Sequence, residues 1–142
     1  MKANRFTHTL LIAALATLAT GAFAAEPAKT LGQREYEGHC AVCHGVTGKG
    51  DGPYAGIIEQ KMPDLSVLSK KNSGVFPVDR VYSMIDGSAT LKAHGTRVMP
   101  IWGQRYRIEA AEKYTEVPYD DQAYVRVRIN ALIDYMLNLQ VK

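Results

Sequence analysis

Both cysteines of this 142-residue chain lie two positions apart, in His39-Cys40-Ala41-Val42-Cys43-His44-Gly45, with a histidine directly after the second. That spacing ties one short turn of the chain to a single chemical task, and three tasks compete for it. A thioredoxin-like disulfide belongs in a βαβ unit, and no convincing strand pattern appears anywhere in the sequence. A structural zinc needs four ligands, and only Cys40, Cys43, His44 and one of His39 or His94 are available for it. The third task is attachment of a group that the sequence does not encode.

Cys-x-x-Cys-His is the pattern for covalent haem attachment. Two thiols on a tight turn reach the two vinyl groups on one side of a porphyrin and form thioethers with them. The next residue then stands beneath the iron, where an imidazole is a good axial ligand. His44 is therefore the expected proximal ligand, with its other ring nitrogen fixed by a hydrogen bond. A backbone carbonyl of the following glycine-rich loop, that of Pro53, is the expected acceptor.

The start of the chain sets the compartment. Lys2 and Arg5 precede an apolar stretch beginning at Leu10, and Ala22-Phe23-Ala24 supplies small residues two apart. This is the pattern of a secretory signal peptide, residues 1–24, cleaved after Ala24, with the mature domain covering residues 25–142. The apolar run is broken by Thr17, Thr20 and Gly21 and falls short of the roughly 20 residues a membrane span wants. Localisation in the periplasm and no stable membrane insertion after signal removal are the expectations. Without Lys2 and Arg5 the 17 basic residues fall to 15 against 14 acidic ones, a formal charge of +1. Nucleic-acid binding, which wants a clustered basic surface, is not expected.

The mature chain reads as helices and loops. Thr30 and Gln33 match a capping box opening a helix that runs to about Cys40, with Gly32, Tyr36 and Cys40 on one face. A glycine inside a helix costs about 1 kcal/mol against alanine, so Gly32 marks a place where another backbone comes close. Residues 45–64 are loop, because Gly45, Gly48, Gly50, Gly52 and Pro53 crowd into nine positions. Asp64 is placed to cap a short helix over Leu65–Lys71. A third helix begins at Pro77, carries a stripe of Val78, Val81, Tyr82 and Ile85, and stops at Gly87. Residues 104–118 read as a surface excursion with a helical turn around Ile108–Lys113. The last helix, capped by Asp120 or Asp121, runs to about Leu139 with Val125, Ile129, Leu132, Met136 and Leu139 inward and Arg126, Arg128 and Asp134 outward. The fold class is all-α, and loops this long in so small a domain call for a central group to wrap.

The iron needs a sixth ligand. Met84 and Met136 fall within helices and read as core packing, which leaves Met62 and Met99, both in loops and both before proline. Met99 is the better choice: 55 residues beyond His44 let the chain travel around the ring, whereas Met62 follows by only 18. A thioether is a soft donor that favours reduced iron and raises the potential. His94 would lower it and ranks behind the methionines.

With these residues in hand, the chain resembles a class I c-type cytochrome over almost the whole mature sequence. The likeness rests on Cys40 to His44, on Gly32 and Tyr36, on Pro63-Asp64-Leu65, on Met99-Pro100-Ile101-Trp102-Gly103, and on Leu132 with Tyr135. It implies a cytochrome c fold in which the N- and C-terminal helices cross closely at the glycine and the loops wrap one covalent haem c. It also implies that the methionine of the Met-Pro motif, here Met99, binds the iron opposite His44. The implied function is electron transfer between redox partner proteins by iron cycling between Fe(II) and Fe(III), with no acid, base or nucleophile and no enzymatic activity. Trp102, Tyr54, Tyr82 and Arg97 are the candidates for lining the pocket or bonding the propionates. Residues 104–118 are extra relative to the smallest members of the family. They raise the alternative of a dedicated haem subunit in a larger periplasmic dehydrogenase or oxidase; a ligand-binding or catalytic haem protein would need an open iron position.

Overall fold

A computed structural model describes residues 27–89 and 99–142. Residues 1–24, expected to be a signal peptide, and the candidates His94 and Arg97 lie outside the described residues. Within them the chain is all helical: α1 Leu31–Glu35, a π-helical turn Tyr36–Cys40, α2 Ala41–His44, α3 Leu68–Lys71, α4 Val78–Asp86, α5 Trp102–Lys113 and α6 Asp121–Asn138.

The helix at the start of the domain runs on past Cys40 to His44, because the π turn joins α1 to α2 without a break. Only half of the expected capping box forms. The Thr30 hydroxyl accepts from the Gln33 amide at 3.1 Å, while the Gln33 side chain donates forward to Glu37 at 2.9 Å. Asp64 caps a turn and not α3: its carboxylate accepts from the Ser66 amide and hydroxyl at 2.9 and 2.6 Å. The helix itself begins three residues later than expected.

α1 lies against α6 at a backbone-to-backbone contact. A Cβ on Gly32 would stand 1.8 Å from the Ala131 carbonyl oxygen and 3.1 Å from the Tyr135 Cβ, so no side chain fits there. Tyr36 and Tyr135 pack beside the crossing with ring centroids 5.2 Å apart. Val125, Ile129, Leu132, Ile133 and Met136 of α6 are buried, as the periodicity requires, and Asp120 caps the helix through the Ala123 amide at 2.9 Å. α4 turns Ile85 inward, half-buries Val81 and Tyr82, leaves Val78 in solvent and ends at Gly87 in the left-handed region.

Two expectations are corrected. Residues 102–113 are no surface excursion but a 12-residue helix, α5, that buries Trp102, Tyr106 and Ala110 against the rest of the core. Arg128 does not face solvent. Its guanidinium donates to the carboxylate of Glu35, a side chain 6% exposed, and to Glu109 at 2.8 Å, and it lies over the rings of Tyr106 and Tyr124 at 5.8 and 4.9 Å. Tyr106 donates to the same Glu35 at 3.0 Å. One buried carboxylate thus joins α1, α5 and α6.

Candidate haem site

The turn that carries the two cysteines is held by the loop that follows it. Three carbonyls at the end of α2 would otherwise lack partners. The amides of Tyr54, Gly52 and Gly50 donate to the carbonyls of Val42, Cys43 and His44 at 2.9, 3.2 and 2.8 Å. Gly52 has to be glycine for this, since a Cβ there would meet the Val42 and Ala41 carbonyl oxygens at 2.5 and 2.6 Å. The Tyr36 hydroxyl, buried beneath, donates to the Gly45 carbonyl at 2.9 Å. The loop then closes on the next segment through the Leu65 amide, which donates to Gly48 at 2.6 Å. The C-terminus pins that segment in turn: Gln140 donates to Leu65 at 2.8 Å and accepts from Ser69 at 3.0 Å.

Behind the turn is a mostly apolar cavity of about 320 Å³, near the lower end of the usual size for a ligand pocket. Cys40 and His44 line it on the attachment side. Pro63, Leu65 and Leu68 line it from the next loop and α3, Val81 and Ile85 from α4, and Leu132 from α6. Met99 lines it too, and so do Met84 and Met136, which the sequence had assigned to packing alone. Met62 is not among the lining residues, and Cys43 is half-buried on the same turn just outside them. Of the two loop methionines that precede proline, Met99 is the one on the cavity lining.

Burial holds His44 below the ordinary histidine range, and a polar contact with the Pro63 backbone acts against it. Its Nδ1 is buried without a fully formed hydrogen bond. The backbone in polar contact with the imidazole is that of Pro63, not of Pro53 as expected from the sequence. The difference arises because Pro53 lies on the strand of loop that caps α2, whereas Pro63 lines the cavity. Burial also pushes the Cys40 thiol up to about 12, with Cys43 adding to the effect. A thiol so held is protonated at neutral pH and is a poor nucleophile. Among the described residues no three His, Cys, Asp or Glu side chains converge as a metal-binding set.

None of Trp102, Tyr54 and Tyr82 lines the cavity. Trp102 is buried against His39, ring centroids 5.0 Å apart, and Tyr54 is exposed. His39 thus has a packing role the sequence did not disclose, with its Nε2 3.7 Å from Glu35. The cations on the lining are instead Lys71 and Arg80. Arg80 could have been found, because Pro77, Arg80 and Met84 fall at i, i+3 and i+7 on one helical face.

An apolar cavity with two cysteines at its edge, a neutral imidazole on its wall and a soft thioether within it suits an iron porphyrin better than any free metal ion. No helix of the described residues is long and apolar enough to cross a membrane. No curated protein and no solved structure matches the chain. A family model does match it, over residues 30–140, and that family is cytochrome c.

Proposed function

Because this chain belongs to the cytochrome c family, we propose that it is an exported mono-haem electron carrier of the class I type, with haem c attached through Cys40 and Cys43 and its iron held between His44 and Met99. The observation that carries the reading is the meeting of Cys40, His44 and Met99 on one apolar cavity. The family implies covalent haem and redox partners; the ligand pair, the single haem and the periplasm are this reading's own.

Haem c supplies the one-electron couple. The residues do the rest. His44 offers an imidazole kept neutral by its burial, which leaves a ring nitrogen free to coordinate. Met99 offers a soft donor that favours the reduced state. Leu65, Leu68, Leu132, Val81 and Ile85 would keep water away from a haem held in the cavity, which would raise its potential further. The capped turn of α2 fixes where Cys40, Cys43 and His44 stand relative to one another, so both oxidation states meet the same frame.

The test is a spectrum of the purified protein, oxidised and reduced, with and without carbon monoxide. The expected result is a low-spin haem that stays attached in denaturant, shows a sulfur-to-iron band when oxidised and binds carbon monoxide poorly. Met99→Ala should abolish the sulfur band, while Met62→Ala and Met84→Ala keep it. Ready binding of carbon monoxide by the wild type would overturn the six-coordinate carrier in favour of a ligand-binding protein. Sequencing of the mature N-terminus should begin at Ala25.

A further inference from the structure

The polar groups on the cavity wall are nearly all engaged with other parts of the chain. Asp64 accepts twice from Ser66, and its carboxyl is held below the ordinary range chiefly by that hydroxyl, with Lys71 contributing more weakly. The Asn72 amide donates to the Val75 carbonyl at 2.8 Å, and the Tyr36 hydroxyl to that of Gly45. Of the charged side chains there, Lys71 at the end of α3 and Arg80 on α4 are the exceptions, and Arg80 is the one whose charge its helix position opposes. It is exposed, it lines the cavity from the first turn of α4, and its guanidinium has no hydrogen bond or ion pair among the described residues.

That position is an unfavourable one for a cation. The first turn of a helix carries partial positive charge, which disfavours arginine and favours an anion nearby. Asp79 meets the preference and Arg80 opposes it. The wall around Arg80, made by Pro77, Val81 and Met84, is apolar. A guanidinium on such a rim suits a ligand whose apolar body fills the cavity and whose carboxylate stays at the mouth, since its planar fork pairs two oxygens at once. Haem has that shape, with two propionate carboxylates on one edge.

We propose that Arg80 is the residue that holds a haem propionate at the mouth of the cavity, with Lys71 a second positive charge on the same lining. The proposal rests on the haem reading above. Its test uses the holoprotein carrying haem enriched with carbon-13 at the propionate carboxyls. In Arg80→Met one carboxyl resonance should move. At a fixed ambient potential, the ratio of reduced to oxidised protein should fall about threefold to fivefold, because a nearby positive charge favours Fe(II). Arg80→Lys, which keeps the charge, should move the resonance and leave that ratio within about twofold of wild type. Arg126→Met, which removes a surface partner of Asp120, should change neither. Unmoved carboxyl resonances in both Arg80 variants would overturn the proposal, as would an equal response to Arg126→Met. A wild-type protein without covalent haem would overturn the underlying reading instead.

Discussion

The buried Glu35–Arg128 pair permits a prediction in which a second substitution offsets the loss caused by the first. Arg128→Met strands a carboxylate whose side chain is 6% exposed and leaves it with the Tyr106 hydroxyl at 3.0 Å and the more distant His39. Removing one partner of a buried pair costs about 3–5 kcal/mol, a large part of the roughly 5–15 kcal/mol that holds a domain together. Glu35→Gln is milder. It keeps an acceptor for Tyr106 and leaves Arg128 with Glu109 at 2.8 Å, so a loss of about 1–2 kcal/mol is expected. Removing both charges, as Glu35→Leu with Arg128→Met, takes away the desolvation of two ions together with their attraction. The double variant should lie within about 1–2 kcal/mol of wild type and be more stable than Arg128→Met alone. Urea unfolding of the haem-loaded proteins at neutral pH, compared as a double-mutant cycle, measures this directly. The reasoning fails if Arg128→Met costs less than about 1 kcal/mol, or if the double variant costs the sum of the two single changes.

Other expectations are simpler. Gly32→Ala gains about 1 kcal/mol of helix propensity, but its Cβ meets the Ala131 carbonyl oxygen at 1.8 Å. A net loss of about 2 kcal/mol, seen as a melting temperature roughly 10 °C lower, should result; an unchanged or raised temperature would show that the two helices separate freely. Asp120, fully exposed, is held below the ordinary carboxylate range mainly by the Ala123 amide it accepts from, with Arg126 contributing. A carboxyl depressed in the folded state stabilises above its unfolded pKa of about 4 and loses that contribution as pH falls through its folded value. Stability at acid pH should therefore decline less steeply in Asp120→Asn than in wild type, and equal slopes below roughly pH 4 would count against the cap. The His44 and Met99 assignments stand or fall on the spectra described above.

Much of this molecule was legible in the sequence where a repeat meets a buried face. The stripe of α6 and the stop of α4 at Gly87 follow from periodicity and from a left-handed cap. The close approach at Gly32 follows from a glycine where a helix should not want one. α5 escaped notice because its inward residues, Trp102, Tyr106 and Ala110, recur once per turn at i, i+4 and i+8, with charged residues filling the space between. Arg128 was assigned to solvent because a charge is outward until its partner is known, and Glu35 lies 93 residues away. The same distance problem hid Pro63, whereas Arg80 was within reach of the helical pattern of α4. Which backbone meets His44 depends on how a glycine-rich loop folds back, and no local pattern encodes that.

The π turn at Tyr36–Cys40 has a consequence for how such a chain can change. A π turn holds one residue more than the α-helical turn it replaces, and each residue of an α-helix advances about 100° around the axis. Tyr36 packs on Tyr135 of α6 while both it and Cys40 line the cavity, and that extra residue sets the angle between them. Gly38, at whose position a Cβ would meet nothing within 4 Å, is where the chain tolerates new side chains. It is also where it tolerates no loss of length: deleting it would restore a regular helix and swing Cys40, Cys43 and His44 together away from the cavity. In this short stretch, substitution is cheap and a change of one residue in the count is not.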